Sequence, residues 1–119
     1  MPNETDVFML NRKISQQEFE LLEYGRIPKE MEDKWFIYYD SGKLYFHRSW
    51  SGFCVYIADV DKVGANFNVG RIIVNRNKEQ YKESDVDADK NKVCILINGL
   101  LGESNRENFE KYKQHLHSQ

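Results

Sequence analysis

The residues best suited to chemistry lie close together between two apolar runs. The stretch 46–53 contains His47, Arg48, Ser49 and Trp50 around a short turn. An arginine and the amides of a turn can bind a phosphate group, and an indole can stack on a flat ring. The same residues also fit a structural turn in which the arginine stem covers apolar surface. The sequence is therefore compatible with either a ligand site or a structural turn at residues 46–53.

A second polar group, Asn75 and Arg76, follows the apolar run 70–74. In a sheet of consecutive antiparallel strands, turns and strand ends meet along common edges. Arg76 can therefore converge with Arg48 on one ligand. The alternative, which the sequence favours at this position, is an ordinary solvated loop.

His47 is the natural candidate for a general acid or base. No nucleophile or orienting carboxylate stands at a spacing that would complete a catalytic set. Cys54 can lie opposite His47, but an inert half-buried thiol is favoured over a thiolate–imidazole pair. Catalytic residues stay unassigned, and a non-enzymatic role is favoured.

Metal and cofactor motifs do not emerge from the sequence. The acidic run 85–89 suggests a calcium loop, but Lys90 occupies the glycine position and Leu96 the place of the bidentate glutamate. The run instead fits the acidic start of a helix. Zinc spacing, phosphate-binding glycine loops and nucleophile elbows are absent from the sequence. We therefore expect no metal and no cofactor.

Length and composition indicate one globular domain, 1–119, with residues 1–12 and 115–119 frayed. Hydrophobic residues make up 40% of the chain, and aromatic residues reach 13%. The formal net charge of −2 gives no broad attraction to nucleic acid or to an anionic membrane, so neither is an expected partner. Two separated cysteines and the lack of a signal core or membrane span predict a cytoplasmic protein.

The first predicted element is a helix over 16–24. Ser15 and Glu18 form a capping box, and Gly25 supplies the stop. A hairpin follows, with strands 35–40 and 43–48 joined by Ser41-Gly42.

A third strand, 53–58, continues the meander if Arg48 pairs with Phe53. This register puts Phe46 beside Val55 and His47 beside Cys54. It predicts a core face and a polar-tipped aromatic face. The core face holds Ile37, Leu44, Phe46, Val55 and Ile57. The aromatic face holds Phe36, Tyr38, Tyr45, His47, Cys54 and Tyr56.

The rest of the chain predicts a polar loop over 59–69, a fourth strand over 70–75 and a helix over 88–101. The last segment also fits a buried strand, but its apolar spacing, acidic start and following glycine favour a helix. Ser104 and Glu107 form a second capping box and predict a C-terminal helix. The fold class is thus α+β: an antiparallel four-stranded β-meander packed against helices from the N- and C-terminal segments.

Two stretches, 33–56 and 74–81, resemble a small uncharacterised bacterial module that occurs alone or beside macrodomain and ADP-ribosylglycohydrolase proteins. The likeness covers roughly residues 28–101 and implies an ADP-ribose or NAD-related context. It implies that Trp35 and Tyr81 belong to the ligand site with the residues above. The predicted ligand-binding residues are then His47, Arg48, Ser49, Trp50, Asn75, Arg76 and Tyr81.

Three functions follow as expectations. The leading one is a small module that binds an anionic ring-bearing ligand, such as a nucleotide or an ADP-ribose-related compound. The second is a protein-interaction domain, a partner or antagonist in a defence or toxin system, that uses the aromatic face. The third, least favoured, is a small hydrolase acting on ADP-ribosyl groups.

Overall fold

The computed structural model describes residues 4–25, 35–49, 51–81 and 85–102, together with 106, 107, 110 and 111. Within them the chain forms five strands and two helices. In chain order these are β1 (Thr5–Ile14), α1 (Gln16–Tyr24), β2 (Trp35–Asp40), β3 (Lys43–Arg48), β4 (Cys54–Val63), β5 (Asn66–Asn75) and α2 (Val86–Leu100). Most of the predicted C-terminal helix, including Ser104, lies outside the described residues.

All five strands form one antiparallel sheet in the order β1-β5-β4-β3-β2. Strands β2 to β5 are neighbours in sequence order, so the predicted meander and the α+β class are confirmed. The prediction of four strands is wrong by one, because β1 pairs with β5.

Strand β1 occupies residues that were expected to be frayed. It is an edge strand with a bulge between Met9 and Arg12, and Asn11 has a φ of 51°. Only Phe8 and Ile14 are buried along it. A strand with so few inward apolar residues gives a weak alternation, which explains why the sequence pattern does not reveal it.

Helix α1 has the predicted bounds and caps. The Ser15 hydroxyl accepts a hydrogen bond from the Glu18 amide at 3.1 Å, and the Glu18 carboxylate accepts from the Ser15 amide at 3.0 Å. The helix ends at Gly25, whose φ of 71° and ψ of −154° belong to a region that essentially only glycine adopts. A side chain there would meet the carbonyl of Ile37 on β2.

The β2–β3 hairpin has the predicted register, with Trp35 opposite Arg48 and Tyr38 opposite Tyr45. The predicted β3–β4 register holds only at His47 and Cys54. A bulge follows, so Phe46 lies opposite Tyr56 and not opposite Val55. One extra residue reverses the facing of every later side chain of the strand.

The bulge corrects the two predicted faces. Tyr56 was expected on the aromatic face but is fully buried in the core, and Ile57 was expected in the core but is partly exposed on the opposite face.

The predicted loop over 59–69 is mostly strand. Strands β4 and β5 continue as a long hairpin to the turn at Gly64, whose φ is 63°. Val60, Phe67 and Val69 are buried, with polar residues between them. This alternation is the period of a half-buried strand, and the prediction gave the polar residues too much weight.

Segment 86–100 is a helix, as favoured from its spacing, and Asp85 caps it by accepting from the Asp87 amide at 2.9 Å. Both helices pack on the same face of the sheet: Phe19 of α1 stacks on Phe67, and Asp89 of α2 bonds to Tyr56. We call this side the covered face. Neither helix of the described chain is long and apolar enough to cross a membrane.

Candidate functional site

The predicted site residues that the structure describes lie at one end of the sheet. Strand pairing places Arg48 beside Trp35, His47 beside Cys54, and Asn75 beside Thr5. The end of β3, the start of β4 and the end of β5 therefore share this edge, as the meander predicts. The side chains nevertheless divide between the two faces of the sheet, and only some of them come together.

His47 lies on the face opposite the helices. Its Nδ1 is 2.8 Å from the Gly52 carbonyl oxygen, and because a carbonyl only accepts, Nδ1 carries a proton. The Nε2 atom is buried and has no hydrogen-bond partner among the described residues. The ring stacks on Tyr38, with centroids 5.5 Å apart. The imidazole is thus held as part of an aromatic cluster.

Arg48 projects toward the covered face. Its guanidinium carbon lies 4.9 Å from the centre of the Trp35 ring, a cation–π contact. Among the described residues it makes no ion pair shorter than 4 Å. The backbone closes the turn behind it, since the Gly52 amide donates to the Arg48 carbonyl at 2.8 Å. Ser49 lies in this turn and is partly exposed; Trp50 lies outside the described residues.

Asn75 is buried and holds the strand ends together. Its Nδ2 donates to the Cys54 carbonyl and to the Gln80 side chain, both at 2.9 Å, while its Oδ1 accepts from the Asn77 amide at 2.8 Å. These bonds use its donors and its acceptor within the chain. Ligand binding by Asn75 stays a prediction, and in this arrangement the side chain organises the loop after β5.

Arg76 is the centre of an ion-pair group on the covered face. Its Nη2 lies 2.6 Å from Oδ2 of Asp89, which is fully buried, and its Nε lies 3.5 Å from Oδ2 of Asp6. Two carboxylates thus compensate one guanidinium. The positive charge that was expected to bind a phosphate is already balanced inside the chain.

Tyr81 joins this group through a buried cluster of oxygens. The hydroxyls of Tyr56 and Tyr81 donate to Oδ1 of Asp89 at 2.8 Å and 2.7 Å, and the two hydroxyl oxygens lie 2.7 Å apart. Nζ of Lys92 donates to the Tyr81 oxygen at 3.0 Å. Burial, followed by the hydrogen bonds to Tyr81 and Asp89, raises the pKa of Tyr56 far above its ordinary value. Such a phenol keeps its proton, so the cluster acts as a buried structural link between the sheet and α2.

The two arginines meet only indirectly. Arg48 stacks on Trp35, Trp35 stacks on Tyr56 with centroids 5.9 Å apart, and Tyr56 bonds to Asp89, the partner of Arg76. A series of side-chain contacts thus links the two arginines, and their convergence on one ligand stays a prediction. Sequence reasoning missed Tyr56 and Asp89, although an acidic residue on the inner stripe of a predicted helix, at 89, is a signal for a buried partner.

The surroundings of Cys54 disfavour its thiolate form. Burial raises its pKa, and its sulfur lies 3.5 Å from the Tyr56 carbonyl oxygen, to which the thiol donates. A raised pKa lowers the fraction of thiolate, the form that attacks. The favoured interpretation from sequence, an inert thiol opposite His47, agrees with this environment.

The opposite side of the sheet, which we call the open face, carries apolar residues that face away from both helices. Its members are Val7, Met9, Phe36, Tyr38, Tyr45, Ile57 and Ile73. Five of them form what we call the central row, which crosses all five strands through the register pairs. The central row is Tyr38, Tyr45, Ile57, Ile73 and Val7.

The central row is exposed at both ends, and at its β2 end two of its rings stack on each other. Tyr38 is 36% exposed and Val7 is 50% exposed, with Met9 beside it at 52%. The rings of Tyr38 and Tyr45 stack with centroids 5.0 Å apart and planes 13° apart. In the aromatic half of the row, the two rings are therefore already packed against each other in the unbound chain.

A parallel charged row borders the central row. Asp40 pairs with Lys43 in the register of the hairpin, and Asp59 bonds to Lys43 at 3.2 Å and to Arg71 at 2.9 Å. Two acidic and two basic residues balance each other here. The open face therefore combines an apolar strip with a neutral, solvated border.

Comparison with protein-family models, with curated proteins and with solved structures finds no match to this chain. The likeness to a module beside macrodomain proteins therefore depends on the quoted residues alone. Among the described residues, no group of three or more His, Cys, Asp or Glu side chains could hold a metal ion.

Proposed function

We propose that this protein is a protein-interaction domain that binds a partner through the open face. The observation that carries the proposal is the central row, an apolar strip that runs without a break across five strands. Contiguous exposed apolar surface bordered by polar residues is typical of interaction sites.

The chemistry of the row supports a protein partner. Tyrosines are enriched at the centres of interfaces because they offer a large apolar ring and a polar tip at a low entropic cost. The stacked pair of Tyr38 and Tyr45 loses little freedom on binding, which favours affinity.

The covered face supports the same proposal by contrast. Asn75, Arg76 and Tyr81 are engaged in contacts within the chain, and Asp89 and Asp6 balance the charge of Arg76. An anionic ligand there would have to displace a buried carboxylate from a guanidinium, which is costly. The open face needs no such rearrangement.

A matched set of variants tests the proposal. The tagged wild type, Ile57→Lys at the middle of the open face and Ile95→Lys on α2 are compared in pull-downs. Ile95 is 69% exposed and lies on the other side of the molecule, so it controls for the added charge. We expect a stoichiometric protein partner with the wild type and with Ile95→Lys, and its loss with Ile57→Lys.

The opposite pattern would overturn the proposal. If Ile57→Lys folds cooperatively and retains every partner of the wild type, the open face is not the binding surface. The same conclusion follows if Ile95→Lys loses the partner as completely as Ile57→Lys does.

A second candidate function is binding of an anionic, ring-bearing small molecule beside Arg48. The specific observation is that this guanidinium lies over Trp35 and makes no ion pair with the described residues. A cation fixed against an aromatic plane can hold a phosphate while a base stacks nearby.

A thermal-shift panel with ADP-ribose, NAD, ATP and cyclic nucleotides tests this second function. We expect a ligand-dependent rise in the melting temperature of the wild type that is absent in Arg48→Ala. Because Arg48→Ala also loses its stacking on Trp35, each variant is compared with and without ligand. If no compound shifts the wild type, this function is excluded for the ligands tested.

A further inference from the structure

The sheet has two edge strands, β1 and β2, and the described chain obstructs only one of them. In the β2–β3 hairpin, Asp40 and Lys43 flank the turn, so alternation points the carbonyl of Ile37 away from β3. Gly25 lies so close to this carbonyl that a Cβ on it would collide with the oxygen. On β1, no described residue forms a backbone hydrogen bond with the outer side. This edge is therefore open to a further strand.

The outer side of β1 presents the backbone groups of alternate residues. The Arg76 amide donates to the Glu4 carbonyl at 2.7 Å, so the polar groups of Glu4 face β5. Those of the next residue must then face outward, and this alternation continues along an antiparallel pair. Beyond the bulge, the same alternation is set by the β4–β5 turn. The residues whose backbone groups face outward are Thr5, Val7, Met9 and Lys13.

The charges of β1 are divided between its two ends. Asp6 lies near its start, and Arg12 and Lys13 lie near its end. Asp6 pairs with Val74 and Arg12 with Val69, both fully buried residues of β5, so the two charged side chains share the covered face. Among the described residues, neither Arg12 nor Lys13 has an ion-pair partner. The strand is thus acidic at one end and carries uncompensated basic groups at the other.

We infer that β1 pairs antiparallel with β1 of a second copy of this chain, about a twofold axis at Met9, so that the two sheets join edge to edge. In this register, Asp6 lies opposite Arg12 of the second copy, and Thr5 lies opposite Lys13. Charge complementarity is the reason for a second copy, because the reversed charge pattern of β1 is the one that complements β1. Other partners would have to carry the same pattern.

Backbone and charge together fix the register. A shift by one residue would pair outward-facing backbone groups with inward-facing ones, so no ladder would form. A shift by two residues would place Asp6 opposite Leu10 in one direction and Arg12 opposite Phe8 in the other, so the pairing of Asp6 with Arg12 would be lost. A parallel pair about a twofold axis would set Asp6 against Asp6, and like charges directly opposite are destabilising.

The bulge of β1 fits this register. It places Asn11 opposite Val7 of the second copy, and the extra residue disturbs the ladder there. The Val7 amide already donates to Oδ1 of Asp6 at 3.1 Å, so it keeps a partner at the disturbed position. The ladder bonds then form at Met9 and, on each side of it, between Thr5 and Lys13. Since bulges and lysines disfavour pairing with an arbitrary strand, this edge is selective for a matching one.

Sedimentation equilibrium of the purified full chain, over roughly 1–500 µM protein, tests the inference. One strand from each copy makes a small interface, so we expect a reversible dimer with a dissociation constant in about the micromolar range or weaker. Opposite charges meet at exposed positions, so added salt should weaken the dimer. A wild type that stays monomeric over the whole range at low salt would overturn the inference.

Two substitutions of Met9 separate backbone pairing from side-chain contact. Met9→Pro removes the outward amide at the axis, and an edge strand tolerates a proline there. Met9→Thr changes the same side chain and keeps the amide. Met9→Pro should weaken dimerisation by at least about tenfold, whereas Met9→Thr should stay within about threefold of the wild type. Equal effects of the two substitutions would overturn pairing through the backbone.

A complementary pair of variants tests the register and does not depend on Met9→Pro folding. Thr5→Lys faces Lys13 of the second copy and should weaken dimerisation by at least about tenfold. Mixing it with Lys13→Glu should restore association as a heterodimer. Ile95→Lys adds the same charge on α2 and should leave the dissociation constant unchanged. A Thr5→Lys variant that dimerises like the wild type, or a mixture without preference for the heterodimer, would overturn the register.

This inference and the proposed function fail independently. Ile57→Lys, in the middle of the open face, should leave the β1 dimer unchanged. A dimer that is lost in Ile57→Lys and kept in Met9→Pro and Thr5→Lys would lie on the open face, and it would overturn the pairing of β1. A monomeric chain that loses an unrelated protein partner only in Met9→Pro would pair this edge with that protein, and it would also overturn self-association.

Discussion

The two faces of the sheet use the same residue types for different purposes. On the covered face, the rings of Tyr56 and Tyr81 are buried, and their hydroxyls donate hydrogen bonds to Asp89. On the open face, Tyr38 and Tyr45 stack on each other, and Tyr38 is 36% exposed. A buried tyrosine needs a hydrogen-bond partner, whereas a surface tyrosine can keep its hydroxyl in water.

This difference separates stability from binding within one sheet. The covered face contains the buried ion pair of Arg76 and Asp89 and the hydrogen bonds from Tyr56 and Tyr81 to Asp89, so changes there should lower the free energy of unfolding. The open face contains apolar groups whose burial requires another molecule, so changes there should mainly affect association.

Loss of the Asp89 carboxylate should cause the largest loss of stability. Asp89→Ala leaves Arg76 without its buried counter-charge and two tyrosine hydroxyls without their acceptor. Breaking a buried ion pair costs about 3–5 kcal/mol. Chemical denaturation measures this loss. Asp87→Asn, an exposed change in the same helical turn, should cost less than about 1 kcal/mol. Equal losses in the two variants would contradict a structural role for the cluster.

Substitution of Gly25, where α1 ends against the covered face, should cause the next largest loss of stability. Gly25 has a φ of 71° and a ψ of −154°, a conformation that disfavours any side chain. In Gly25→Ala, the new Cβ would also collide with the Ile37 carbonyl. We expect a loss of about 2–4 kcal/mol in unfolding free energy. Gly64→Ala has a similar φ but open space around it, so it should cost only about 1 kcal/mol. If the two variants lose the same stability, contact with β2 is not what requires Gly25.

The raised pKa of Tyr56 predicts a dependence on alkaline pH. In the unfolded chain Tyr56 releases its proton near its ordinary pKa of about 10, whereas in the folded chain burial holds the proton to higher pH. The contribution of protonated Tyr56 to the free energy of unfolding is therefore complete below a pH of about 10. Above that pH it declines by about 1.4 kcal/mol per pH unit. Denaturation from pH 9 upward should show a steeper decline for wild type than for Tyr56→Phe. Parallel curves would show that Tyr56 titrates normally in the fold.

The smallest effect on stability is expected at the edge of the open face. Val7 is 50% exposed, and Val7→Ser should change the unfolding free energy by less than about 0.5 kcal/mol when the protein is monomeric. Dilute denaturation experiments measure this value. A loss above about 1.5 kcal/mol, comparable to a core substitution, would mean that the open face is covered within the chain.

The sequence was sufficient for features that depend on local chemistry. Ser15 with Glu18 and Ser41-Gly42 have signals confined to a few residues, and the α1 bounds and the β2–β3 register are confirmed. The helix over 86–100 was favoured correctly because its apolar spacing and acidic start agree.

Features set by long-range contacts were not predictable in this way. One extra residue at the start of β4 moved Tyr56 into the core and Ile57 out of it, and no local signal marks that bulge. Strand β1 depends on its pairing with β5. The charge of Arg76 seemed available because Asp89 and Asp6 lie far from it in sequence and near it only in the fold.

Tyr56 and Ile57 are adjacent on β4 and face opposite sides, so they test the separation of the two faces most directly. The measurement is the free energy of unfolding of Tyr56→Phe and Ile57→Thr at a concentration where both are monomeric. We expect a loss of about 1.5–3 kcal/mol for Tyr56→Phe, which removes a hydrogen bond to a buried carboxylate, and less than about 1 kcal/mol for Ile57→Thr. Equal losses, or a larger loss for Ile57→Thr, would contradict the separation of a stabilising face from a binding face.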